Sequence, residues 1–235
     1  MNIQSLFICL MSKTVPLEPD HFYHIYNHSN GKDNLFISED NYRYFLGKFK
    51  EYIAPFSETY AYCLMPNHFH FLIKINSEKD VFKWLWENEK IADDSLDLTG
   101  FKNLSGLSIA GFNPFSAHLS KQFSSFFNSY SKSMNKQESR MGSLFVRTFK
   151  RKLISSEEQL KDTILYIHAN PVHHEFVSTI SDWKYSSYPS LISDKPTQLK
   201  RKEVTDLFDD IENFKFCHQQ INQNLVQKLE SEMQT

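Results

Sequence analysis

Alternating apolar and polar residues predict three β-strands in the first third of the chain. They are HFYHIYNH at 21–28, ETYAYCLM at 58–65 and HFHFLIKI at 68–75. Because side chains alternate along a strand, the third strand has two distinct faces. One face is wholly apolar and would meet the core: Phe69, Phe71, Ile73 and Ile75. The other carries His68, His70, Leu72 and Lys74. Pro66 and Asn67 predict a turn that makes the second and third strands antiparallel neighbours.

Apolar residues at helical spacing predict three longer helices. A helix over 39–53 would begin after the N-cap candidate Ser38. A second helix, over 117–134, has an apolar stripe typical of a buried face: Leu119, Phe123, Phe126, Phe127 and Tyr130. The third would begin with the capping-box pair Ser155 and Glu158 and end at Pro171. Further helices are predicted over 81–89, 201–214 and 217–233.

These elements predict a chain that mixes strands and helices, with the second and third strands paired. The stretch 76–116 mixes Asp, Ser, Gly and Asn with scattered apolar residues. We interpret it as an insertion over the sheet edge or the site. Residues 191–235 are predicted to form a helical extension outside the core. Residues 1–18 are predicted to be an N-terminal extension with a loosely docked start.

Composition places the chain among ordinary globular proteins. It has 235 residues, of which 40% are hydrophobic and 23% charged, enough for one elaborated domain or two small ones. The three cysteines are far apart and form no CxxC pair, which favours a reducing compartment over a disulfide scaffold. No apolar run is long enough to cross a bilayer, so we expect a cytoplasmic protein without membrane contact. The net charge of −2 restricts any nucleic-acid binding to a local patch.

The tripeptide His68–Phe69–His70 would place two imidazoles side by side on a rigid strand. Such a pair can hold a metal ion. The alternative is a pair of partly exposed strand histidines without a function. His21, His24 and His28 are further candidates, which we interpret as ordinary strand residues because no matched carboxylate or cysteine accompanies them.

Tyr166 and Asn170 lie one turn apart in the third predicted helix, on the same face as Asp162. At the C-terminal end of a capped helix they could serve as a nucleophile and a metal ligand. A solvent-facing polar stripe is the alternative interpretation.

Cations and aromatic rings interleave in the segment before this helix, GSLFVRTFKRKLI at 142–154. With one lysine from the preceding helix they form the candidate DNA-binding set: Lys132, Arg147, Phe149, Lys150, Arg151 and Lys152. A groove of this composition can bind phosphates with its cations and stack bases on its rings. An ordinary solvated charged edge explains the segment equally well.

Four motifs together resemble the single-tyrosine HUH transposases, and more narrowly the REP-associated tyrosine transposase branch. They are YCLMPNHFHFLI at 62–73, FKRKLI at 149–154, YIHANPV at 166–172 and WKYSSY at 183–188. The resemblance covers residues 19–190 apart from the insertion, and it leaves the extension over 191–235 unexplained. It implies an α/β (α+β) protein for residues 19–190: the ferredoxin-like HUH endonuclease fold, in which helices pack on a central antiparallel sheet.

The resemblance also implies a chemistry. His68, His70 and Asn170 match the ligands of a divalent metal, Mg²⁺ or Mn²⁺, and Tyr166 matches the nucleophile. The implied activity is cleavage and rejoining of single-stranded DNA at hairpin-bearing ends, through a 5′-phosphotyrosine link and in association with the nucleoid. Relatives differ in whether two subunits share a site, so both a monomer and a homodimer are open.

Two other functions are open from the sequence. An inactive or domesticated copy would bind single-stranded or hairpin DNA without chemistry, and it would not require the histidine pair to meet Tyr166 and Asn170. A metal-dependent hydrolase would use water as the nucleophile in place of Tyr166.

Overall fold

The computed structural model describes residues 15–88, 114–221, 226–228 and 230–231. Its centre is a four-stranded sheet with the order β2-β3-β1-β4, in which every neighbouring pair is antiparallel. The strands are β1 (Phe22–His28), β2 (Ser57–Met65), β3 (His68–Ile75) and β4 (Lys150–Ile154). The three predicted strands are confirmed, including the antiparallel pairing of β2 with β3. The sequence did not predict β4, because its run of cations gives no alternating apolar pattern.

One face of the sheet is covered by α1 (Glu39–Tyr52) and α3 (Pro114–Gln137), with α2 (Glu78–Asn88) beside them. The predicted apolar face of β3 lies in this core, as does the predicted stripe of α3. Aromatic rings fill it: Phe49 stacks on Phe71 with centroids 4.1 Å apart, and Phe45 lies 4.7 Å from Phe126. Burying one such side chain contributes roughly 1.5–3 kcal/mol.

The opposite face is covered by α4 (Glu157–His173) and by three shorter helices, α5 (Tyr188–Leu191), α6 (Arg201–Asp206) and α7 (Ile211–Gln219). Two details of α4 differ from the prediction. Its N-cap is Ser156, whose hydroxyl accepts the Gln159 N–H at 3.1 Å. Ser155 instead bonds the Gln159 side chain. Pro171 does not end the helix but lies in its last turn, where its missing N–H removes one i→i−4 hydrogen bond and the helix continues for two more residues.

The described part of the C-terminal segment contains helices, as predicted, but its expected position outside the core is wrong. Val204, Phe208 and Phe214 are 0–3% exposed and belong to the second core, together with residues of α4. The predicted helix over 201–214 is two helices, because Asp209 has a φ of 70° and Asp210 caps a new helix. The helix predicted over 217–233 lies partly in α7 and partly outside the described residues.

The WKYSSY segment covers the outer edge of β2. The Leu64 N–H donates to Tyr185 O at 2.9 Å, and the Ser187 N–H donates to Tyr62 O at 2.9 Å. An isolated bridge also joins Cys63 to Ser186. These bonds use backbone groups that an edge strand would otherwise leave unpaired.

Some predictions fall on residues that the structure does not describe. The first ten residues and most of the predicted insertion, 89–113, are among them. The domain limits at 19 and 190 stay a prediction, although Leu17 is fully buried in the first core. In the described ranges, no helix has the length and apolar character needed to span a membrane.

Candidate metal and nucleophile site

Strand pairing gathers polar rings on the face of the sheet opposite the aromatic core. Directly paired residues of antiparallel strands share a face. Tyr26 of β1 pairs with His70 of β3, and His28 pairs with His68. His24, two residues before Tyr26, points to the same side. The predicted sidedness of β3 is therefore confirmed, with the two motif histidines turned toward α4.

The hydrogen bonds of the two motif histidines leave one nitrogen of each ring for a ligand. His68 Nδ1 lies 2.7 Å from Asn67 Oδ1, which can only accept, so the His68 proton is on Nδ1. His70 Nδ1 lies 2.9 Å from His24 Nε2. Both rings therefore use Nδ1 for a neighbouring side chain. The remaining Nε2 atoms are the ones that could bind a metal ion.

Helix α4 brings Tyr166 and Asn170 to this histidine pair. The Tyr166 ring meets the His70 ring edge-on, with centroids 5.5 Å apart. The Asn170 amide lies beside the His68 ring and the Tyr166 hydroxyl. Both residues are buried, so the alternative of a solvent-facing stripe is wrong for them. His70 is buried as well, at 6% exposed, which excludes the interpretation as an exposed strand residue.

Asn170 has an unpaired polar atom where a ligand would be needed. Its amide N–H donates to Tyr166 O at 2.7 Å, which fixes the orientation of the group. Its Oδ1 is buried and makes no hydrogen bond within the described residues. Leaving a buried acceptor unpaired costs about 1–3 kcal/mol, and such atoms in native proteins often mark an ion or functional site.

The donor set suits a hard divalent ion. Among the described residues, no three His, Cys, Asp or Glu side chains are grouped as a closed metal site would require. Two imidazole nitrogens and one amide oxygen would instead form an open site with room for phosphate oxygens and water. Mg²⁺ and Mn²⁺ accept such mixed ligands. The residues present therefore fit the predicted metal, while their roles stay predictions.

Burial sets the protonation of these groups. Desolvation lowers the pKa of His68 to about 4, with a further contribution from His174. It lowers the pKa of His70 well below the ordinary value, aided by His24 and His68. Both rings are therefore neutral near pH 7, as metal ligands must be. Burial raises the pKa of Tyr166, and Glu230 raises it further, so its phenol keeps its proton at neutral pH.

Residues near the C-terminal end of α4 and in the C-terminal segment, outside the predicted set, also border the site. His174 lies 5.0 Å from His68 between ring centroids, and His173 Nε2 lies 3.4 Å from a carboxylate oxygen of Glu230. The position of His173 and His174 just after the YIHANPV motif was a signal that could have included them. Glu230 lies 64 residues after Tyr166 (230 − 166) in the C-terminal segment, and no sequence pattern links it to the site.

The predicted DNA-binding residues divide between the two faces of the sheet. Lys150 pairs with Tyr26 and Lys152 pairs with His24, so both lie on the site face. Arg151 lies on the other face, where it donates to Ser120 Oγ at 2.8 Å and covers the Phe149 ring.

The other members of the DNA-binding set also lie apart. Phe149 is half-buried against Phe123, with ring centroids 4.8 Å apart. Arg147 and Lys132 are exposed. The alternation of a strand thus separates cations that are adjacent in sequence.

A buried chain of hydrogen bonds anchors the other side of α4. The Tyr62 N–H donates to Ser187 Oγ at 2.8 Å, and Ser187 Oγ lies 2.7 Å from His168 Nε2. His168 Nδ1 lies 2.8 Å from His218 Nε2, whose Nδ1 donates to Phe214 O at 2.7 Å. One set of neutral tautomers satisfies every member. These hydrogen bonds join α4 to β2 and α7. Their member in α4, His168, lies two residues after Tyr166 in the sequence.

Comparison with protein-family models gives no match. The chain is 27% identical over 134 residues to a Haemophilus influenzae protein whose name assigns it to the REP-associated tyrosine transposases. That match covers 57% of this chain and 60% of the relative.

The fold matches a solved REP-associated tyrosine transposase bound to a REP hairpin. The TM-score is 0.51, and the match covers 80% of this chain and 89% of that one at 14% identity. At this low identity the likeness shows the fold, and it confirms the predicted antiparallel sheet with packed helices. The resemblance indicated by the motifs is thus confirmed: this chain is similar to the REP-associated tyrosine transposases in sequence and in fold.

Proposed function

We propose that this protein is a metal-dependent transposase that cleaves and rejoins single-stranded DNA, with Tyr166 as the nucleophile. The observation that supports the proposal is the meeting of β3 and α4. Two imidazoles whose Nδ1 atoms contact other side chains, a buried amide oxygen and a phenol come together from segments about 100 residues apart. A buried amide oxygen without a hydrogen-bond partner among the described residues, as at Asn170 Oδ1, calls for an explanation such as a bound ion.

The chemistry follows from these groups. The Tyr166 oxygen attacks the scissile phosphorus, forming a 5′-phosphotyrosine bond while the bond to the 3′-oxygen breaks. The phenol proton leaves Tyr166 and the departing 3′-oxygen gains a proton, so the step is balanced. A Mg²⁺ or Mn²⁺ ion held by His68, His70 and Asn170 would supply Lewis-acid polarisation of the phosphate. Attack by a second 3′-hydroxyl reverses the step and joins the strands.

The proposed substrate is single-stranded DNA that carries a hairpin. The solved structural neighbour was bound to a REP hairpin, and we extend that substrate class to this chain. Lys150 and Lys152 lie on the site face, where they could contact phosphates near Tyr166. Action on chromosomal DNA would place the protein at the nucleoid. A homodimer stays a prediction.

The test is a trapping assay with hairpin-bearing single-stranded DNA and Mn²⁺, resolved on a denaturing gel. The wild type should give a covalent protein–DNA adduct. Tyr166→Phe should give none while binding the same DNA within about threefold, because only the attacking oxygen is lost. Adduct formation by Tyr166→Phe would remove this residue from the proposed role. Cleavage by the wild type without any adduct would favour the hydrolase.

One observation favours a second candidate, a protein that binds hairpin DNA without cutting it. Tyr166 is 6% exposed, so the residue as a whole has little contact with solvent in this conformation. A binding protein does not need that hydroxyl to reach a phosphate. In the same assay it would retain the DNA on a native gel and leave it intact on the denaturing gel, with or without Mn²⁺.

A further inference from the structure

His24 is a buried polar residue of the site face that the proposed chemistry does not use. It lies in the middle of β1, and its side chain is 0% exposed. Its Nε2 lies 2.9 Å from Nδ1 of His70, and the two ring planes differ by 17°. The interpretation of His24 as an ordinary strand residue therefore misses a direct contact with one of the candidate metal ligands.

The backbone of His24 is fixed by strand pairing, because β1 is a central strand of the sheet. Strand β1 is hydrogen-bonded to β3 on one side and to β4 on the other. His24 pairs with Leu72, so His70 is its diagonal neighbour on the same face, within reach of a ring side chain. The Tyr26 ring stacks on both imidazoles, with centroids 4.8 Å from His24 and 5.7 Å from His70. Strand pairing and stacking on Tyr26 therefore restrict the orientation of both imidazole rings.

The bond between the rings determines which nitrogen His70 can offer. A neutral imidazole has one N–H donor and one acceptor nitrogen. If His70 Nε2 binds a cation, its proton must be on Nδ1, where His24 Nε2 is the partner. We propose that His24 is a positioning residue for His70, accepting the Nδ1–H bond and so holding the tautomer and ring orientation that present Nε2 to the metal. This inference rests on the proposed function, because it takes His70 as a ligand.

Two observations argue that His24 supports a ligand and is not a ligand itself. Among the described residues, His24 belongs to no group of three His, Cys, Asp or Glu side chains that could hold a metal ion. Its remaining nitrogen, Nδ1, is buried and has no hydrogen-bond partner in the part of the chain that the structure describes. Its one side-chain hydrogen bond among the described residues is the contact with His70, as expected of a residue that orients a metal ligand.

The test is Mn²⁺ affinity of the full-length protein without DNA, measured from the electron paramagnetic resonance signal of free Mn²⁺. His24→Leu removes the acceptor, and His24→Gln keeps one at the same reach with similar volume. We expect His24→Leu to weaken Mn²⁺ binding 10–100-fold and His24→Gln to stay within about threefold of the wild type. Thermal melting reports folding of each variant. His24→Met is a second acceptor-free variant if His24→Leu does not fold.

The outcomes separate this inference from the proposed function. Wild-type binding that His68→Ala removes establishes the site itself, and its absence overturns the metal site and the role of His24 together. If that binding is present and His24→Leu retains it, only the role of His24 is overturned. Equal weakening in His24→Leu and His24→Gln also overturns it, because the hydrogen-bond acceptor would then not be what matters.

Discussion

The two faces of the sheet use alternate residues of the same strands, yet they are stabilised in different ways. Phe69 and Phe71 of β3 meet a core of rings from α1 and α3, where contact is non-directional and volume decides stability. His70, between them, meets His24, Tyr26 and Tyr166 on the other side. There each polar atom needs a partner with suitable geometry.

This difference makes unpaired atoms informative on the site face. Within the described residues, the buried side-chain atoms without a hydrogen-bond partner are His24 Nδ1, Asn170 Oδ1 and Arg151 Nε. Two of these three atoms belong to the site. The buried chain from Ser187 to His218, on the same side of the sheet, is by contrast fully paired. Incomplete pairing therefore distinguishes the candidate site from the structural network beside it.

The largest expected effect is on the aromatic face. Phe71→Ala should lower the free energy of unfolding by about 3–5 kcal/mol, because it removes a fully buried ring stacked on Phe49. Urea denaturation measures the change. Phe71→Leu is the matched control and should cost clearly less, since most of the buried volume is kept. A decrease below about 1 kcal/mol for Phe71→Ala would contradict the close packing described.

The second largest effect should come from lowering the pH, which should reduce the stability of the core on the α4 side of the sheet. Burial lowers the pKa of His218 to about 4 and that of His168 well below its ordinary value, where His218 adds to the effect. In the unfolded chain the pKa of each histidine is about 6.5. Between these values the unfolded state binds more protons, so this stability is fully present above about pH 6.5 and falls as the pH drops toward about 4.

Each such histidine contributes at most about 1.4 kcal/mol per pH unit in that window. Urea denaturation between pH 7.5 and 4.5 measures the slope. His218→Gln should give a shallower slope than the wild type by up to that amount. Equal slopes for the two proteins would show that His218 does not stay neutral in the folded state.

Breaking the buried hydrogen bonds between Ser187 and His168 should lower the free energy of unfolding by a smaller amount. Ser187→Ala removes the acceptor of the Tyr62 N–H and the partner of His168 Nε2, both buried. We expect a decrease of about 1–3 kcal/mol in the free energy of unfolding. Ser124→Ala on the exposed side of α3 is the matched control and should change it by less than about 0.5 kcal/mol. Similar values for the two variants would contradict a structural role for the network.

The smallest effect should separate the two faces in DNA binding. Replacing Lys150 and Lys152 together by Ala should weaken binding of hairpin-bearing single strands several-fold. It should also reduce the slope of log affinity against log salt by about 0.7–0.9 for each phosphate that the protein no longer neutralises. Arg151→Gln should leave that slope unchanged, because Arg151 bonds Ser120 on the aromatic face. Fluorescence anisotropy at several salt concentrations tests both, and equal slopes for all three proteins would contradict the division.

Local pattern was sufficient for much of the architecture. Alternation in HFHFLIKI predicted which side of β3 faces the core, and the apolar stripe from Leu119 to Tyr130 predicted α3. Both signals depend on residues two to four positions apart. Because these signals are local, they do not show which strands pair or which residues of different segments meet. Lys150, Arg151 and Lys152 look like one basic cluster in sequence, and only the pairing of β4 with β1 shows that Arg151 lies on the opposite face.

The sequence by itself determined the order of the elements, the sidedness of β3 and the motifs that resemble a known family. The tertiary structure decided the rest: the contact of His24 with His70, the meeting of Tyr166 and Asn170 with the histidine pair, and the burial of His218 from a segment expected to lie outside the core. The physical reason is the separation in sequence of the residues that determine each feature. Periodicity is set by neighbouring residues, whereas strand register and the rotation of α4 are set by contacts between residues far apart in the chain.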